Sequence, residues 1–166
     1  SFTRKVLSFG TSDSLRLLAE QQLSTPTGGP VYDFARASES KLKSLNNANR
    51  VVNEIALESP AVSVTFYNAQ EYSQKALDEL LAIKDNIVQL ELSRMPVKDE
   101  ALSTIAQFSN LEKLNLNFTG ISGAGLDKLQ GLKKLHTLSL AGTPVKKDQL
   151  APLEKIGSLK RVVIWN

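Results

Sequence analysis

Apolar residues in the second half of the chain recur at a fixed interval, with a 24-residue period. Within each unit they first alternate with polar residues and then return at every third position. Alternation is typical of a short strand, and a spacing of three is typical of one face of a helical segment. The equivalent positions are Ile87, Leu111, Leu135 and Leu159; Leu90, Leu114, Leu138 and Val162; Leu92, Leu116, Leu140 and Ile164; Val97, Ile121 and Val145; Leu102, Leu126 and Leu150; Ile105, Leu129 and Leu153; and Phe108, Leu132 and Ile156.

One strand and one helical segment in a unit of this length indicate a leucine-rich repeat. A single unit cannot bury its apolar residues alone, so stacked units are expected to share one core between a parallel sheet and a helical layer. We therefore predict an α/β fold: a leucine-rich-repeat solenoid of 24-residue strand–helix units with a parallel sheet and an N-terminal helical and β cap. Leu92, Leu116 and Leu140 are expected to be fully buried in that core.

The turns that follow the strands share a second pattern. Thr119 and Thr143 occupy a position that is usually Asn in such repeats. Their side chains are expected to hydrogen-bond backbone groups that have no strand partner. Met95 stands at the equivalent position of the first complete unit, so that turn is expected to be stabilised differently.

The repeats are predicted to occupy residues 60–166. The first unit is imperfect, because Val64 matches Leu90 at a step of 26 whereas Leu77 matches Leu102 at a step of 25. The difference of one is expected to fall in the turn between the strand and the helical segment. The predicted units are 60–85 (degenerate), 86–109, 110–133, 134–157 and 158–166 (partial).

Residues 1–59 do not repeat, and we divide them in two. Residues 1–34 are predicted to be an N-terminal arm or the remnant of a preceding segment, with a helix that ends near Leu23 and a loop at 24–30. Residues 35–59 are predicted to cap the end of the core, with a helix over 38–49 and a strand from Val51. Because the chain begins with Ser1 and ends on a strand, we expect it to be a piece of a longer protein.

Residues that alternate with the core positions of each strand are predicted to form an open, concave face. Most are small or polar, and Tyr67 and Trp165 are the aromatic exceptions. Aromatic residues and arginine are enriched at binding hot spots, so a partner-binding surface is one interpretation of this face. The other, which we prefer from the sequence alone, is an ordinary solvated face, with Trp165 packed against a following unit. The candidate binding residues are Tyr67, Gln89, Glu91, Lys113, Asn115, Asn117, Thr137, Ser139, Arg161 and Trp165, and Ser63, Thr65, Ser93, Ala141 and Val163 share the face.

Composition excludes several kinds of site. The chain has no cysteine, so it can form no disulfide, no cysteine-ligated zinc site and no covalent haem attachment of its own. The net charge of +3 is small. From Ser109 onward the chain contains nine Lys or Arg residues and four acidic residues. The basic residues are scattered over turns and the helical side, without interleaved aromatic residues. This distribution indicates a solvated surface, and we expect no nucleic-acid binding.

Candidate catalytic and metal-binding residues are equally sparse. His136 is the only histidine, and no ligand partner is spaced for it. The pairs Asp78–Glu79 and Asp99–Glu100 fall on or just before helical segments, where acids are commonly solvated or favour the helix dipole. The glycines around Ser122 match neither a dinucleotide fingerprint nor a phosphate loop, and that serine has no base nearby in sequence. We therefore predict no catalytic residue, no metal and no cofactor.

The stretch from Tyr32-Asp33-Phe34 to Trp165-Asn166, about four-fifths of the chain, resembles the leucine-rich-repeat region of large bacterial membrane-anchored c-type cytochrome proteins. The resemblance implies a haem-binding segment outside this chain and a periplasmic or cell-surface location. It brings no functional residue with it, because the family's haem motif needs cysteine. The carrying segments are NRVVNEIALESPAVSVTFYN, IVQLELSRMPVKDEAL, AQFSNLEKLNLNFTGISGAGL, LHTLSLAGTPV and RVVIWN.

These observations predict a non-catalytic protein-interaction or scaffold module of a larger exported bacterial protein. The alternative is an accessory domain of an electron-transfer or polymer-degrading cytochrome-type protein whose active part lies elsewhere. The expected partners are another protein or neighbouring domains of the same polypeptide. We expect no direct membrane insertion by this chain, since no apolar run reaches the length that spans a bilayer.

Overall fold

The computed structural model describes residues 30–165. The helix predicted to end near Leu23, and most of the loop predicted at 24–30, therefore lie outside the described residues. Among the described residues, no helix combines the length and apolar character that crossing a membrane requires. The unit that begins at Tyr32 contains the strands and helices given below.

Six strands form one sheet in the order in which they occur along the chain. The first two strands pair antiparallel, and every later strand pairs parallel with the one before it. Each parallel pair is joined by a crossover that runs through a helical segment, as parallel pairing requires. The strands are β1 (Arg50–Glu54), β2 (Val62–Phe66), β3 (Ile87–Glu91), β4 (Lys113–Asn115), β5 (Thr137–Ser139) and β6 (Arg161–Val163).

The strand register places equivalent leucines side by side. Leu90 lies opposite Leu114, Leu114 opposite Leu138, and Leu138 opposite Val162, so each of these residues pairs with its equivalent in the next strand. The pairing of β2 with β3 is irregular: Val62 lies opposite Ile87, but Val64 lies opposite Leu90. The match of Val64 with Leu90 is therefore correct, and a further shift of one position lies within the strand pair itself.

The helical segments lie where the spacing predicts them, but most are 3₁₀ helices rather than α-helices. An exact spacing of three suits a helix with about 3.0 residues per turn, because side chains at i and i+3 then align directly. The α-helices are α1 (Glu39–Leu45), α2 (Gln74–Asp78) and α3 (Leu102–Ile105), and the 3₁₀ helices are Glu79–Ile83, Asp99–Ala101, Leu126–Gly131 and Lys147–Lys155.

The core lies between the sheet and these helical segments, and the leucines predicted to build it are buried. Leu92, Leu116 and Leu140 are each 0% exposed and belong to one continuous cluster. The same cluster extends to Leu42 and Leu45 of α1, so the segment before the repeats adds apolar residues to the core. The protein is thus a mixed α/β structure built on a six-stranded sheet.

The threonines of the turns make the hydrogen bonds expected of them. Thr119 Oγ1 donates to Leu116 O at 2.7 Å, and Thr143 Oγ1 donates to Leu140 O at 2.6 Å. Met95 has no such group, and its buried side chain is accompanied by a backbone bond from Val97 N to Met95 O at 2.8 Å. The first complete unit therefore stabilises its turn by packing and backbone bonding.

The segment before the repeats is held by a buried arginine. Arg50 of β1 donates from Nε to Leu45 O at 2.7 Å, from Nη1 to Ala76 O, and from Nη2 to Glu79 Oε2 at 2.7 Å. These three bonds join β1 to the end of α1 and to the first helical segment of the repeats. The helix predicted over 38–49 ends earlier, at Leu45, because Asn46 and Asn47 accept hydrogen bonds from backbone N–H groups of β1.

The described residues ahead of α1 run past the amino ends of the middle strands. Ala35 O accepts a hydrogen bond from Asn86 Nδ2 at 2.7 Å, just before β3 begins. The Lys134 ammonium lies 5.9 Å from the centroid of the Phe34 ring. Tyr32 donates its hydroxyl to Glu112 Oε2 at 3.3 Å, and burial together with that carboxylate raises the pKa of Tyr32. Residues 32–35 therefore contact units that lie much further along the chain.

Candidate functional site

The alternation of the strands produces the exposed face that the sequence predicts, which we call the strand face. It consists of the side chains on β2 to β6, and just beyond their ends, that point away from the core. All of these side chains are exposed or half-buried except Ala141, which is only 2% exposed. The strand face comprises Ser63, Thr65, Tyr67, Gln89, Glu91, Ser93, Lys113, Asn115, Asn117, Thr137, Ser139, Arg161, Val163 and Trp165.

The expectation that Ala141 lies open on this face is wrong. The amide oxygen of Asn117 accepts a hydrogen bond from Ala141 N at 2.8 Å, so the longer asparagine side chain reaches across to this residue. A methyl group is too short to project past such a neighbour.

The middle of the strand face contains an open depression of about 320 Å³. It brings together six of the predicted binding residues, and Tyr67, Asn117, Arg161 and Trp165 lie outside it. Leu90 and Leu114 contribute to its floor. The residues on its walls are Ser63, Thr65, Gln89, Glu91, Lys113, Asn115, Thr137 and Ser139.

Several polar side chains of the face are engaged within the protein. Glu91 accepts from Ser93 N at 2.9 Å through Oε1 and from Asn115 Nδ2 at 2.7 Å through Oε2. Asn115 Oδ1 accepts from Asn117 N at 3.0 Å. The bond between Asn115 and Glu91 connects two neighbouring units, and the other two hold the ends of their own strands. Each oxygen of Glu91, the only acidic side chain on the face, therefore accepts one hydrogen bond within the protein.

The two basic side chains of the strand face are Lys113 and Arg161. Lys113 and Arg161 are exposed, and neither forms an ion pair within residues 30–165. They stand in one row, with Thr137 of β5 between them. Strands two apart are separated by about 10 Å, so the two positive charges flank a single hydroxyl-bearing residue. The face consequently presents a positive potential despite containing Glu91.

Tyr67, the aromatic residue near the first repeat, is fixed by hydrogen bonding. Its side chain is 54% exposed, while its hydroxyl donates to Asn47 O at 2.9 Å. Its backbone N–H donates to Asn49 O at 3.0 Å. Tyr67 is thus held in place by the turn that follows α1, with part of the ring open to solvent.

The structure reveals an aromatic group that our sequence analysis missed. Phe118 is 44% exposed and meets Trp165, itself 57% exposed, edge to face at 5.6 Å between ring centroids. The Arg94 guanidinium lies 5.0 Å from the centroid of the same Phe118 ring. We call Arg94, Phe118 and Trp165 the aromatic cluster. It lies beside the carboxyl ends of the strands, at one margin of the strand face.

The backbone explains why this cluster forms. Arg94, Phe118 and Gly142 hold equivalent positions in three successive units, and all three adopt a left-handed conformation, with φ of 62°, 56° and 66°. That conformation is uncommon for a bulky residue such as Phe. A Cβ atom on Gly142 would clash with the Phe118 ring, so glycine leaves the space that the ring occupies. The repeat pattern, extended to the turn residues, was the signal that could have found the cluster.

The candidate catalytic residues His136 and Ser122 make contacts within the fold. His136 is half-buried, with Nε2 3.8 Å from Glu112 Oε2 and Nδ1 3.0 Å from Thr137 Oγ1. Ser122 donates from both N and Oγ to the carboxylate of Asp99, which fixes the turn before a 3₁₀ helix. Among residues 30–165, no group of three His, Asp or Glu side chains is placed to hold a metal ion.

The sequence matches no protein-family model and no curated protein. Several solved structures are similar to it, among them the following two. The chain is 23% identical to internalin C2 from Listeria monocytogenes str. 4b F2365, with a TM-score of 0.46, over 53% of this chain and 36% of that one, so it spans about a third of that protein. It is 15% identical to the actin-binding site 2 of leiomodin-1, with a TM-score of 0.51, over 63% of this chain and 70% of that one.

The similarity to leiomodin-1 is evidence for the fold and not for a function. Together with the parallel strands, each reached through a helical segment, it defines the protein as one with a fold of the leucine-rich-repeat type.

Proposed function

We propose that this chain is a non-catalytic protein-recognition or scaffold module, and that the strand face is its partner-binding surface. One observation carries the proposal. The strands bury their apolar side chains on one side and present a polar, largely exposed face on the other, which no described part of the chain covers. Such faces offer a preformed surface for recognition, since a rigid sheet positions every side chain.

The proposal also includes the arrangement of the repeats. We infer that the chain is a solenoid of 24-residue units, and the supporting observation is the register that aligns Leu90, Leu114 and Leu138. The similar leiomodin-1 structure is named as an actin-binding site, which is an example of a protein-binding role for a related fold. Nothing in the present strand face points to actin.

We also propose that this chain is not an enzyme. The histidine and the one serine–aspartate contact serve structural roles, as described above, and the strand face contains no histidine. Its only carboxylate, Glu91, is held by hydrogen bonds from Ser93 N and Asn115 Nδ2, with no second acid beside it on the face. These features support binding rather than reaction.

The test uses photocross-linking from two positions of the full chain in its native host. Benzoylphenylalanine replaces Gln89, which lines the depression, or Ala151, which is exposed on the 3₁₀ helix Lys147–Lys155. We expect a discrete protein to be cross-linked from position 89 and not from position 151. The affinity of that protein for purified chain is then measured with Asn115→Ala and Tyr67→Ala.

Asn115→Ala and Tyr67→Ala should both weaken the binding of a partner that uses the strand face. An unchanged affinity in both variants would show that the face is an ordinary solvated surface. Equal cross-linking from positions 89 and 151 would lead to the same conclusion.

The larger context is a separate proposal that rests on the sequence resemblance alone. We propose that the chain belongs to an exported bacterial protein, in the periplasm or at the cell surface, and acts there as scaffold or recognition module. In the alternative, it is an accessory domain of an electron-transfer or polymer-degrading cytochrome-type protein. Cell fractionation with an antibody against residues 32–165 tests the location, and a purely cytoplasmic signal would contradict it.

A further inference from the structure

We propose that the strand face recognises an extended acidic segment of a partner protein that also carries an apolar side chain. This inference rests on the proposed function and specifies the chemistry of the partner. Two observations lead to it: the unbalanced positive charge of the face, and the exposed aromatic cluster at its margin.

The basic side chains on and beside the strand face are available to a partner. Lys113 and Arg161 project from the face without an ion pair among the described residues, and Arg94 is exposed beside it. Glu91 is the acidic side chain of the face and offsets one of these three charges, so an excess of positive charge remains. A partner that supplies carboxylates complements this potential, whereas a basic partner is repelled.

The exposed aromatic cluster indicates the second feature of the partner, which is an apolar side chain. Phe118 and Trp165 expose about half of their surfaces, and the pair is fixed edge to face with Arg94 stacked on Phe118. Preformed aromatic–arginine groups of this kind are typical binding hot spots. An apolar side chain of the partner would gain stability by covering the exposed part of these rings.

The positions of the two features indicate the shape of the partner. Lys113 begins β4, and Phe118 lies just beyond its carboxyl end. A strand advances about 3.3 Å per residue, so an extended segment of roughly five residues spans the distance between the two. The partner segment should therefore carry carboxylates toward Lys113 and Arg161 and an apolar side chain toward Phe118 and Trp165.

A nucleic acid would also be attracted by positive charge, but the face suits it less well. Single-stranded nucleic acids stack their bases on successive aromatic side chains along a basic groove. Here the two exposed rings of the cluster stand at one margin and contact each other, and polar side chains occupy the depression. An oligonucleotide is therefore the competing ligand in the test.

The experiment exploits the fact that Trp165 is the only tryptophan of the chain. Its fluorescence is titrated with a synthetic peptide of about ten residues, rich in Glu and carrying two Leu, and with matched peptides in which Gln or Lys replaces every Glu. Oligo-thymidine is titrated in parallel. We expect a saturable change with the Glu peptide alone, and a weaker affinity as the salt concentration rises.

Variants then locate the interaction on the molecule. Lys113→Gln and Arg161→Gln should each weaken the Glu peptide about two- to fivefold, which is the effect of one exposed ion pair. The control is the double variant Lys147→Gln, Lys155→Gln, which removes two exposed charges from the 3₁₀ helix and should leave the affinity unchanged. Phe118→Asn, which tolerates the left-handed backbone, should weaken binding without altering its salt dependence.

Each contrary result overturns the inference. These results are no binding of the Glu peptide, equal binding of the Gln or Lys peptide, tighter binding of oligo-thymidine, and equal weakening by the control variant. The proposed function is judged separately, by cross-linking from position 89. If the same protein is cross-linked in equal yield when Lys113 and Arg161 are changed to Glu, the face binds a partner but not through acidic groups.

Discussion

Individual residues of the core show how strongly one side chain can contribute to this fold. Leu116 follows β4, in the middle of the parallel series, and has no exposed surface. It lies in a cluster that extends from α1 to the last repeats, so a cavity at this position cannot be filled by solvent. The loss of its side chain therefore combines a transfer penalty with a cavity penalty.

Leu116→Ala is expected to lower the free energy of unfolding by about 2–5 kcal/mol, because both penalties apply to a fully buried leucine. Urea denaturation followed by circular dichroism provides the measurement. Lys133→Ala, a substitution of an exposed residue outside the strands and helices, serves as the control and should change the stability by less than about 0.5 kcal/mol. A loss below about 1 kcal/mol for Leu116→Ala would contradict the central position of this residue.

At the residue scale, the sequence predicts buried positions better than surface groups. The burial of Leu92, Leu116 and Leu140 follows from alternation, which acts within a single strand. The aromatic cluster depends instead on backbone conformation at Phe118 and on contacts between residues of different units. Such contacts become visible only when the units are stacked in register.

At the scale of elements, the type of helix is the main addition to the sequence prediction. The spacing of Leu126, Leu129 and Leu132 predicts a helical face, and a strict interval of three matches the observed 3₁₀ helix better than an α-helix. The other unexpected feature is Arg50, whose charge gave no indication of burial in the sequence. Its partners, Leu45 O and Ala76 O, are backbone groups that only the folded chain brings together.

Arg50→Leu is expected to destabilise the protein by about 3 kcal/mol or more, because two buried carbonyl groups lose their donor. Glu79→Gln should cost less, about 1 kcal/mol, since the amide oxygen of Gln can still accept from Arg50 Nη2 and the Glu79 side chain is partly exposed. Glu39→Gln, in an exposed pair with Lys43, is the matched control. Thermal unfolding of the three variants checks the order, and equal effects for Arg50→Leu and Glu79→Gln would contradict the role assigned to the backbone bonds.

At the scale of the whole molecule, each strand of the sheet pairs only with its immediate neighbours. A fold of this type is stabilised by contacts between adjacent units, and not by an organising ligand. The fold class and the positions of the strands could be predicted, because a repeated pattern reinforces every assignment. The partner could not be predicted, because the residues on the strand face do not follow the pattern that determines the core.

The purified chain is expected to contain no haem, metal or nucleotide. It has no cysteine, and its one histidine is paired with Glu112. Elemental analysis and an absorption spectrum of the purified protein provide the measurement. A stoichiometric metal, or a haem band that remains after gel filtration, would contradict this prediction.

The left-handed turn position has a consequence for engineering. Phe in this conformation costs about 1 kcal/mol relative to glycine, the residue found at the equivalent Gly142. A redesign that sought only to relieve this backbone conformation would therefore replace Phe118 with Gly and lose one of the two exposed rings beside the strand face. At this position stability and recognition make opposing demands, so consensus-type stabilisation of the repeats should leave residue 118 untouched.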